Sequence, residues 1–273
     1  MPELPEVETI CQGLRQCALG QLITNVTVRE RRLRIPVASD FSTRIKNSII
    51  SNIRRRAKYI LLDLNTGDTI LIHLGMSGRL THISAIRPLA KHDHIILHLS
   101  EGQDIRFNDA RRFGMALLIR TNNISTHHLF TKLGPEPLES TFTVDYLYEQ
   151  LQHRSSPIKN TLMNNSIVVG IGNIYANEAL FRAGIHPVRP ANTLNKKEVS
   201  NLHMAIVVVL KEALEAGGST LKDYVQADGT TGYFAMNFKV YGRHNQPCTV
   251  CETPIEKIKV GQRSTWLCPK CQY

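Results

Sequence analysis

Residues Leu133-Gly134-Pro135-Glu136-Pro137 divide this chain into two halves of different periodicity. Two prolines, each without an N–H to donate, and a glycine leave no room for a strand or helix to continue through them. On the N-terminal side, short branched and apolar runs recur at Leu22–Val28, Tyr59–Leu64, Thr69–Leu74, His94–Leu99 and Met115–Ile119. Turn signals such as Asn65-Thr66-Gly67-Asp68 and Ser100-Glu101-Gly102 separate them. Strands without helices between them predict an antiparallel sandwich rather than a parallel sheet. One helix is expected ahead of them, from Pro5 to Leu19, with Val7, Ile10, Leu14 and Cys17 or Ala18 at helical spacing. On the C-terminal side the pattern is helical: Val144–Arg154, the run after Gly170-Ile171-Gly172-Asn173, and Lys196–Ala216. The last opens on a capping box, Asn195 with Glu198, carries Val199, Leu202, Ile206, Val209, Leu210, Ala213 and Leu214 on one face, and stops at Gly217-Gly218. The fold class is therefore α+β: a β-sandwich domain flanked by helices (1–125), a linker (126–145), a helical domain (146–236) and a closing module (237–273).

The 273 residues suffice for two cores, and 42% hydrophobic with 21% charged residues is a globular rather than a disordered balance. The longest apolar run, Ala205–Leu210, is too short to span a bilayer, and Met1–Glu6 lacks the features of a signal peptide, so a cytoplasmic protein is expected. The formal net charge of +10 suits a polyanionic partner. Its charges cluster at Arg29, Arg31, Arg32 and Arg34, then at Arg54, Arg55, Arg56 and Lys58. A solvated basic face explains them equally well.

Two of the six cysteines, Cys11 and Cys17, fall on different faces of the first helix and read as inert thiols. The other four read Cys248-x2-Cys251-x16-Cys268-x2-Cys271. Each Cys-x2-Cys pair can grip one side of a tetrahedral Zn²⁺, and the span between pairs fits a hairpin. A disulfide framework would need an oxidising compartment that nothing else in the sequence supports. With four thiolates, one zinc ion per chain would be structural, having no position open for water.

Three further stretches could carry chemistry. Pro2 follows the initiator Met, whose removal would expose a secondary amine with a pKa near ~8, lowered further by the helix that follows. Such an amine can attack a sugar aldehyde carbon to give an iminium ion, with Glu3 and Glu6 beside it for proton transfer. The same Pro-Glu-Leu-Pro-Glu also reads as an acidic helix start. Gly170-Ile171-Gly172-Asn173 can free backbone amides for a phosphate or simply begin a helix. Met76, in His73-Leu74-Gly75-Met76-Ser77-Gly78, and Arg111 and Phe113, in Asn108-Asp109-Ala110-Arg111-Arg112-Phe113-Gly114, lie in turns between strands. Exposed there, they suit insertion into a base stack; buried, they are ordinary core.

Together these motifs resemble one family, bacterial formamidopyrimidine-DNA glycosylase, which excises 8-oxoguanine. The resemblance spans the whole chain and rests on Pro2–Thr9, Arg55–Tyr59, His73–Met76, Lys91–His94, Arg111–Gly114, Leu133–Pro137, Val169–Tyr175 and the four-cysteine module with Gln262-Arg263. It implies that the 1–125 domain is catalytic, that 146–236 holds a helix–two-turns–helix motif, and that 237–273 is a zinc finger. It also implies roles at matching positions: Pro2 as Schiff-base nucleophile, Glu3 as the acid assisting base loss, Lys58 in proton transfer during β-elimination (a lysine there could equally clamp a phosphate beside the lesion), and Arg263 in δ-elimination and phosphate binding. His92, Arg111, Arg154 and Asn173 fall at DNA-contact positions. Met76, Arg111 and Phe113 match residues that fill the gap left by an everted nucleotide, and Gly217–Tyr224 matches a loop that folds over the flipped base.

The partner so implied is double-stranded DNA containing oxidised purines or abasic sites, bound by a monomer without a membrane, a redox cofactor or a nucleotide. The pattern departs from the family's at Asn164, where an acid is usual, and at Ala110, where proline is usual. Two other readings compete. One is the sibling endonuclease VIII type, which prefers oxidised pyrimidines and against which the Arg111-Arg112-Phe113 turn argues. The other is a catalytically silent zinc-finger DNA-binding protein, against which Pro2, Glu3, Glu6 and Lys58 argue.

Overall fold

The computed structural model describes residues 2–217 and 238–273. Beyond Gly217, the Gly217–Tyr224 segment lies outside the described residues. The chain divides into two compact units between Thr131 and Lys132.

The first unit holds, in chain order, α1 (Leu4–Cys17), β1 (Leu22–Val28), α2 (Phe41–Ile45), β2 (Ser48–Arg56), β3 (Tyr59–Leu64), β4 (Asp68–His73), β5 (Arg79–Ser84), β6 (Asp93–Leu99), β7 (Gln103–Asn108) and β8 (Met115–Arg120). The strands pair antiparallel in the order β5-β7-β6-β1-β2-β3-β4-β8. β1 and β2 meet only at Leu22↔Ile49 and Ile23↔Ser48. That short join lets the sheet fold into two four-stranded layers around one core, the expected sandwich. Val26, Leu80, Leu97 and Ile105 come from one layer, and Ile53, Leu62, Ile70 and Ile72 from the other. α1 adds Val7, Ile10, Cys11 and Leu14 to the same core.

Three strands were not legible in the sequence. β2 ends in three arginines and reads as a charge run. β5 buries only Leu80. β7 carries Asp104 and Arg106, both 1% exposed, on a core strand. A buried guanidinium is tolerated only when paired and hydrogen-bonded. Arg106 meets Asp104 at 2.8 Å and donates to the carbonyls of Ala85, Arg87 and Pro88.

The second unit contains α3 (Val144–Gln152), α4 (Ile158–Leu162), α5 (Asn173–Arg182), α6 (Lys196–Glu215) and the hairpin of β9 (Glu256–Val260) and β10 (Arg263–Leu267). α6 starts as its sequence dictates: Asn195 Oδ1 accepts the Glu198 N–H at 2.9 Å, and Glu198 accepts the Asn195 N–H at 2.8 Å. Its buried face packs against α3 and α5. The β9–β10 turn, Gly261-Gln262, has φ of 54° and 67°. Positive φ at both central residues matches the right-handed strand twist of a tight hairpin. Among the described residues no helix is long and apolar enough to cross a membrane.

Candidate active site

The N-terminus of α1 is built by carboxylates. Pro2 is half-buried and leads into Glu3, an extended residue (φ −109°, ψ −169°) that caps the helix. Glu3 and Glu6 are each 1% exposed, and Glu6 Oε2 accepts the Glu3 backbone N–H at 2.8 Å. The Glu3 side chain in turn accepts the Glu6 backbone N–H, so the two carboxylates form a reciprocal capping box in which Glu3 is the one next to Pro2 in the chain. Further along α1, Glu8 bridges Arg15 (2.8 Å) and Arg55 of β2 (2.9 Å). Arg15 also donates to the Ile53 carbonyl at 2.7 Å. α1 is thereby tied to the strand that runs into the β2–β3 turn.

That turn is Ala57-Lys58, between the paired residues Arg56 and Tyr59, with Ala57 at φ 52°. Lys58 is buried there. Its charge is felt by His73 at the end of β4, whose pKa is lowered to about 4 by burial first and then by Lys58 and Arg34. His73 Nδ1 accepts the Gly75 N–H at 3.0 Å, and its ring centroid lies 5.1 Å from that of Tyr59.

Met76 and Phe113 are 45% and 47% exposed, so neither serves as core. The Arg111 guanidinium sits 4.7 Å from the Phe113 ring centre. The two turns that carry these residues press together: a Cβ on Gly75 (φ 63°) would lie 2.5 Å from the Phe113 carbonyl carbon. Asp109, fully buried, accepts the Gly114 N–H at 2.7 Å and the Ser77 hydroxyl at 3.3 Å. Its own N–H donates to the carbonyl of His92, a half-buried residue in the turn before β6. Ala110 is exposed, and the Arg112 N–H closes the turn on the Asp109 carbonyl without a proline.

Much of the basic cluster serves the fold. Arg54 pairs with Asp63 at 2.7 Å, Arg55 with Glu8, and Arg32 and Arg112 with Glu30 at 2.8 and 3.1 Å. Arg29 and Arg31 donate to backbone carbonyls. Net charge alone therefore overstates the cationic surface free for a polyanion.

In the second unit, Asn173 opens α5, and its Nδ2 donates to the Ser264 carbonyl at 3.0 Å while its buried Oδ1 has no partner among the described residues. Lys159, fully buried on α4, donates to the same carbonyl (3.1 Å) and to Thr265 Oγ1 (2.6 Å). The hairpin is thus anchored beside Arg263, which is exposed at the start of β10. Arg154 is half-buried after α3 and donates to the Gln150 carbonyl. Asn164 Oδ1 accepts from the Ser166 N–H and hydroxyl, both at 3.0 Å, which an acid there would also do. Sequence reasoning passed over Lys159 and Asp109. Only burial distinguishes them from ordinary charged residues.

The sulfurs of Cys248, Cys251, Cys268 and Cys271 lie within 4.8 Å of one another. Three pairs are at 3.9, 3.4 and 3.4 Å. A tetrahedral zinc with Zn–S bonds of ~2.3 Å sets sulfurs about 3.8 Å apart, whereas a disulfide needs ~2.05 Å. The residues fit a structural Zn²⁺ site.

Comparison with known proteins covers the same ground. Residues 1–116 match the formamidopyrimidine-DNA glycosylase N-terminal domain, 133–225 its H2TH domain, and 245–272 the zinc finger found in FPG and IleRS. A formamidopyrimidine-DNA glycosylase of Histophilus somni (strain 2336) is 48% identical over 272 residues, covering 100% of this chain and 99% of that protein. Among solved structures, a Lactococcus lactis FPG mutant in complex with a Fapy-dG containing DNA superposes with TM-score 0.93 at 33% identity over 99% of each chain. The wild-type Lactococcus lactis FPG with an oxidised pyrimidine containing DNA gives 0.92 at 33% identity over 99% of each.

Proposed function

The chain belongs to the formamidopyrimidine-DNA glycosylase family, and from that premise we propose how its own residues carry out the excision of oxidised purines, 8-oxoguanine and formamidopyrimidines, from duplex DNA. It is a base excision repair glycosylase with a structural zinc finger. The observation that carries the mechanism is the start of α1: Pro2 directly precedes buried Glu3, whose carboxylate and that of Glu6 cap the helix reciprocally.

Once Met1 is removed, the prolyl nitrogen attacks the anomeric carbon of the everted nucleotide, and the C–N bond to the base breaks as Glu3 supplies a proton toward base loss and sugar ring opening. The prolyl nitrogen gives its proton back to the Glu3 carboxylate, and its lone pair then expels the ring oxygen: the C1′–O4′ bond breaks, O4′ takes the proton from Glu3, and an iminium links the nitrogen to that carbon. The iminium acidifies the neighbouring C2′ proton, Lys58 assists its removal, and the 3′-phosphate leaves. A second elimination, assisted by Arg263, releases the 5′-phosphate and leaves a gap with phosphates at both ends. Abasic sites enter the same sequence after base loss. Met76, Arg111 and Phe113 fill the vacated stack, while His92, Arg154 and Asn173 contact the DNA backbone. Zinc holds the finger that carries Arg263. The protein works as a monomer in the cytoplasm.

The test is incubation with an 8-oxoguanine duplex followed by a denaturing gel; a strand cut to phosphate ends at the lesion is expected, and an intact strand would overturn the proposal. The Lactococcus lactis complex with an oxidised pyrimidine favours a second reading in which such bases are also substrates. The ratio of excision rates on matched duplexes separates a purine preference from a pyrimidine one.

A further inference from the structure

We propose that Asp109 is a positioning residue for nucleotide eversion, holding Met76, Arg111 and Phe113 as one preformed wedge. The inference rests on the wedge role given above and goes beyond it by naming what builds the wedge. Three turns meet at this buried residue, two of them through its side chain. Asp109 Oδ2 takes the Gly114 N–H at 2.7 Å, fixing the end of the turn that presents Arg111 and Phe113. Oδ1 takes the Ser77 hydroxyl at 3.3 Å, fixing the turn that presents Met76. The Asp109 N–H reaches the His92 carbonyl at 3.1 Å, and its carbonyl meets His94 Nε2 at 2.8 Å and the Arg112 N–H at 3.1 Å.

The packing leaves little slack for these turns to move independently. A Cβ on Gly114 would sit 2.7 Å from the His73 carbonyl oxygen and 3.1 Å from Asp109 Oδ2, and one on Gly75 would strike the Phe113 backbone. Backbone contact of this kind makes the two turns one body, with the carboxylate as its pin. Wedge side chains that are themselves half-exposed have no core to order them, so their geometry depends on the turns beneath. A wedge already in place need not be ordered at the cost of eversion.

The chemistry of the pin predicts its own conservative replacement. Asparagine offers Oδ1 to the Gly114 N–H and Nδ2 to the Ser77 oxygen, since a hydroxyl can turn to accept. Alanine offers neither.

The experiment measures single-turnover excision from an 8-oxoguanine duplex, cleavage of an abasic site in single-stranded DNA, and melting temperature for full-length zinc-loaded variants. Asp109→Ala is expected to slow duplex excision at least tenfold while single-strand cleavage changes less than twofold. Asp109→Asn is expected to recover most of the loss. Combined with Phe113→Ala, Asp109→Ala is expected to add less than twofold, because both act through the same wedge. Losses that multiply, or that are equal on both substrates, would overturn the proposal in favour of a merely structural Asp109. A Phe113→Ala variant with normal duplex excision would sink the wedge reading itself, a different failure visible in the same set. If Asp109→Ala does not fold, Ser77→Ala, which cuts only the link to the Met76 turn, carries the test: a several-fold loss confined to duplex excision supports the pin, and none contradicts it.

Discussion

Glu6 Oε2 accepts the backbone N–H of Glu3 at 2.8 Å, and the Glu3 side chain accepts the Glu6 backbone N–H in return, so the two carboxylates beside Pro2 share one capping box. Only Glu3 adjoins Pro2 in the chain, and proton transfer is assigned to it on that ground. Glu6→Gln keeps an acceptor oxygen and should lower activity no more than a few-fold. Glu6→Ala loses the cap, which costs about 1 kcal/mol of helix stability. Glu3→Gln should instead abolish excision of 8-oxoguanine while still nicking a preformed abasic site. Gel assays on the two substrates distinguish these patterns. Equal losses from Glu3→Gln and Glu6→Gln would show that both carboxylates transfer protons.

The four sulfurs set for a tetrahedral ion predict one zinc per chain. The finger itself adds few apolar residues, Val240 and Ile255 beside the cysteines packing with Phe181 of α5, and a module of that size depends on its metal. Cys268→Ser or chelation should loosen the hairpin that carries Arg263 and weaken DNA binding tenfold or more. The β-sandwich core should keep its melting transition. Metal analysis with a binding titration checks this, and full affinity without zinc would contradict it.

Phe113 is half-exposed, so its loss should cost function rather than stability. Unstacking a base costs a few kcal/mol, and each 1.4 kcal/mol is a factor of ten in rate. Phe113→Ala should therefore slow duplex excision by about 10- to 100-fold with a melting shift of a degree or two at most. A large melting shift with normal activity per folded molecule would mean that the ring serves packing.

His73 carries a pH signature. Its pKa is about 4 in the fold and 6.5 in the unfolded chain. Between those values the unfolded chain holds the extra proton. His73 therefore favours the fold fully above pH ~6.5 and loses that contribution as pH falls toward 4, by up to about 3 kcal/mol. His73→Asn keeps an acceptor for the Gly75 N–H and should flatten the difference between denaturant melts at pH 7.5 and 5. Other histidines titrate too, so the wild-type minus variant slope is the quantity to read. An unchanged slope would contradict the assignment.

What the sequence revealed followed local rules. α6 was legible because Asn195, Glu198 and the following glycines mark its ends, and the zinc site because cysteine spacing is geometry. β2 and β7 were hidden because their charged residues are satisfied by pairings across the fold, as Arg106 is by the carbonyls of Ala85, Arg87 and Pro88 besides its neighbour Asp104, and β5 because it buries only Leu80. The same long-range pairing removed Arg54 and Arg55 from the basic surface that composition suggested. Asp109 and Lys159 matter through burial, which no motif announces. Met76 and Phe113 could be read either as core or as exposed tips, and only the fold chose between them.

Borohydride trapping tests the central claim, covalent catalysis through the amine of Pro2, most directly. An iminium is reducible, so borohydride added during turnover on a lesion-containing duplex should fix the protein to the DNA strand. Peptide mapping should place that adduct on residue 2. A preparation that retains Met1 should trap nothing, because its prolyl nitrogen is an amide, and Pro2→Gly should react more slowly yet still trap. Cleaved product forming while borohydride captures no protein, or an adduct mapped to a lysine, would contradict the account.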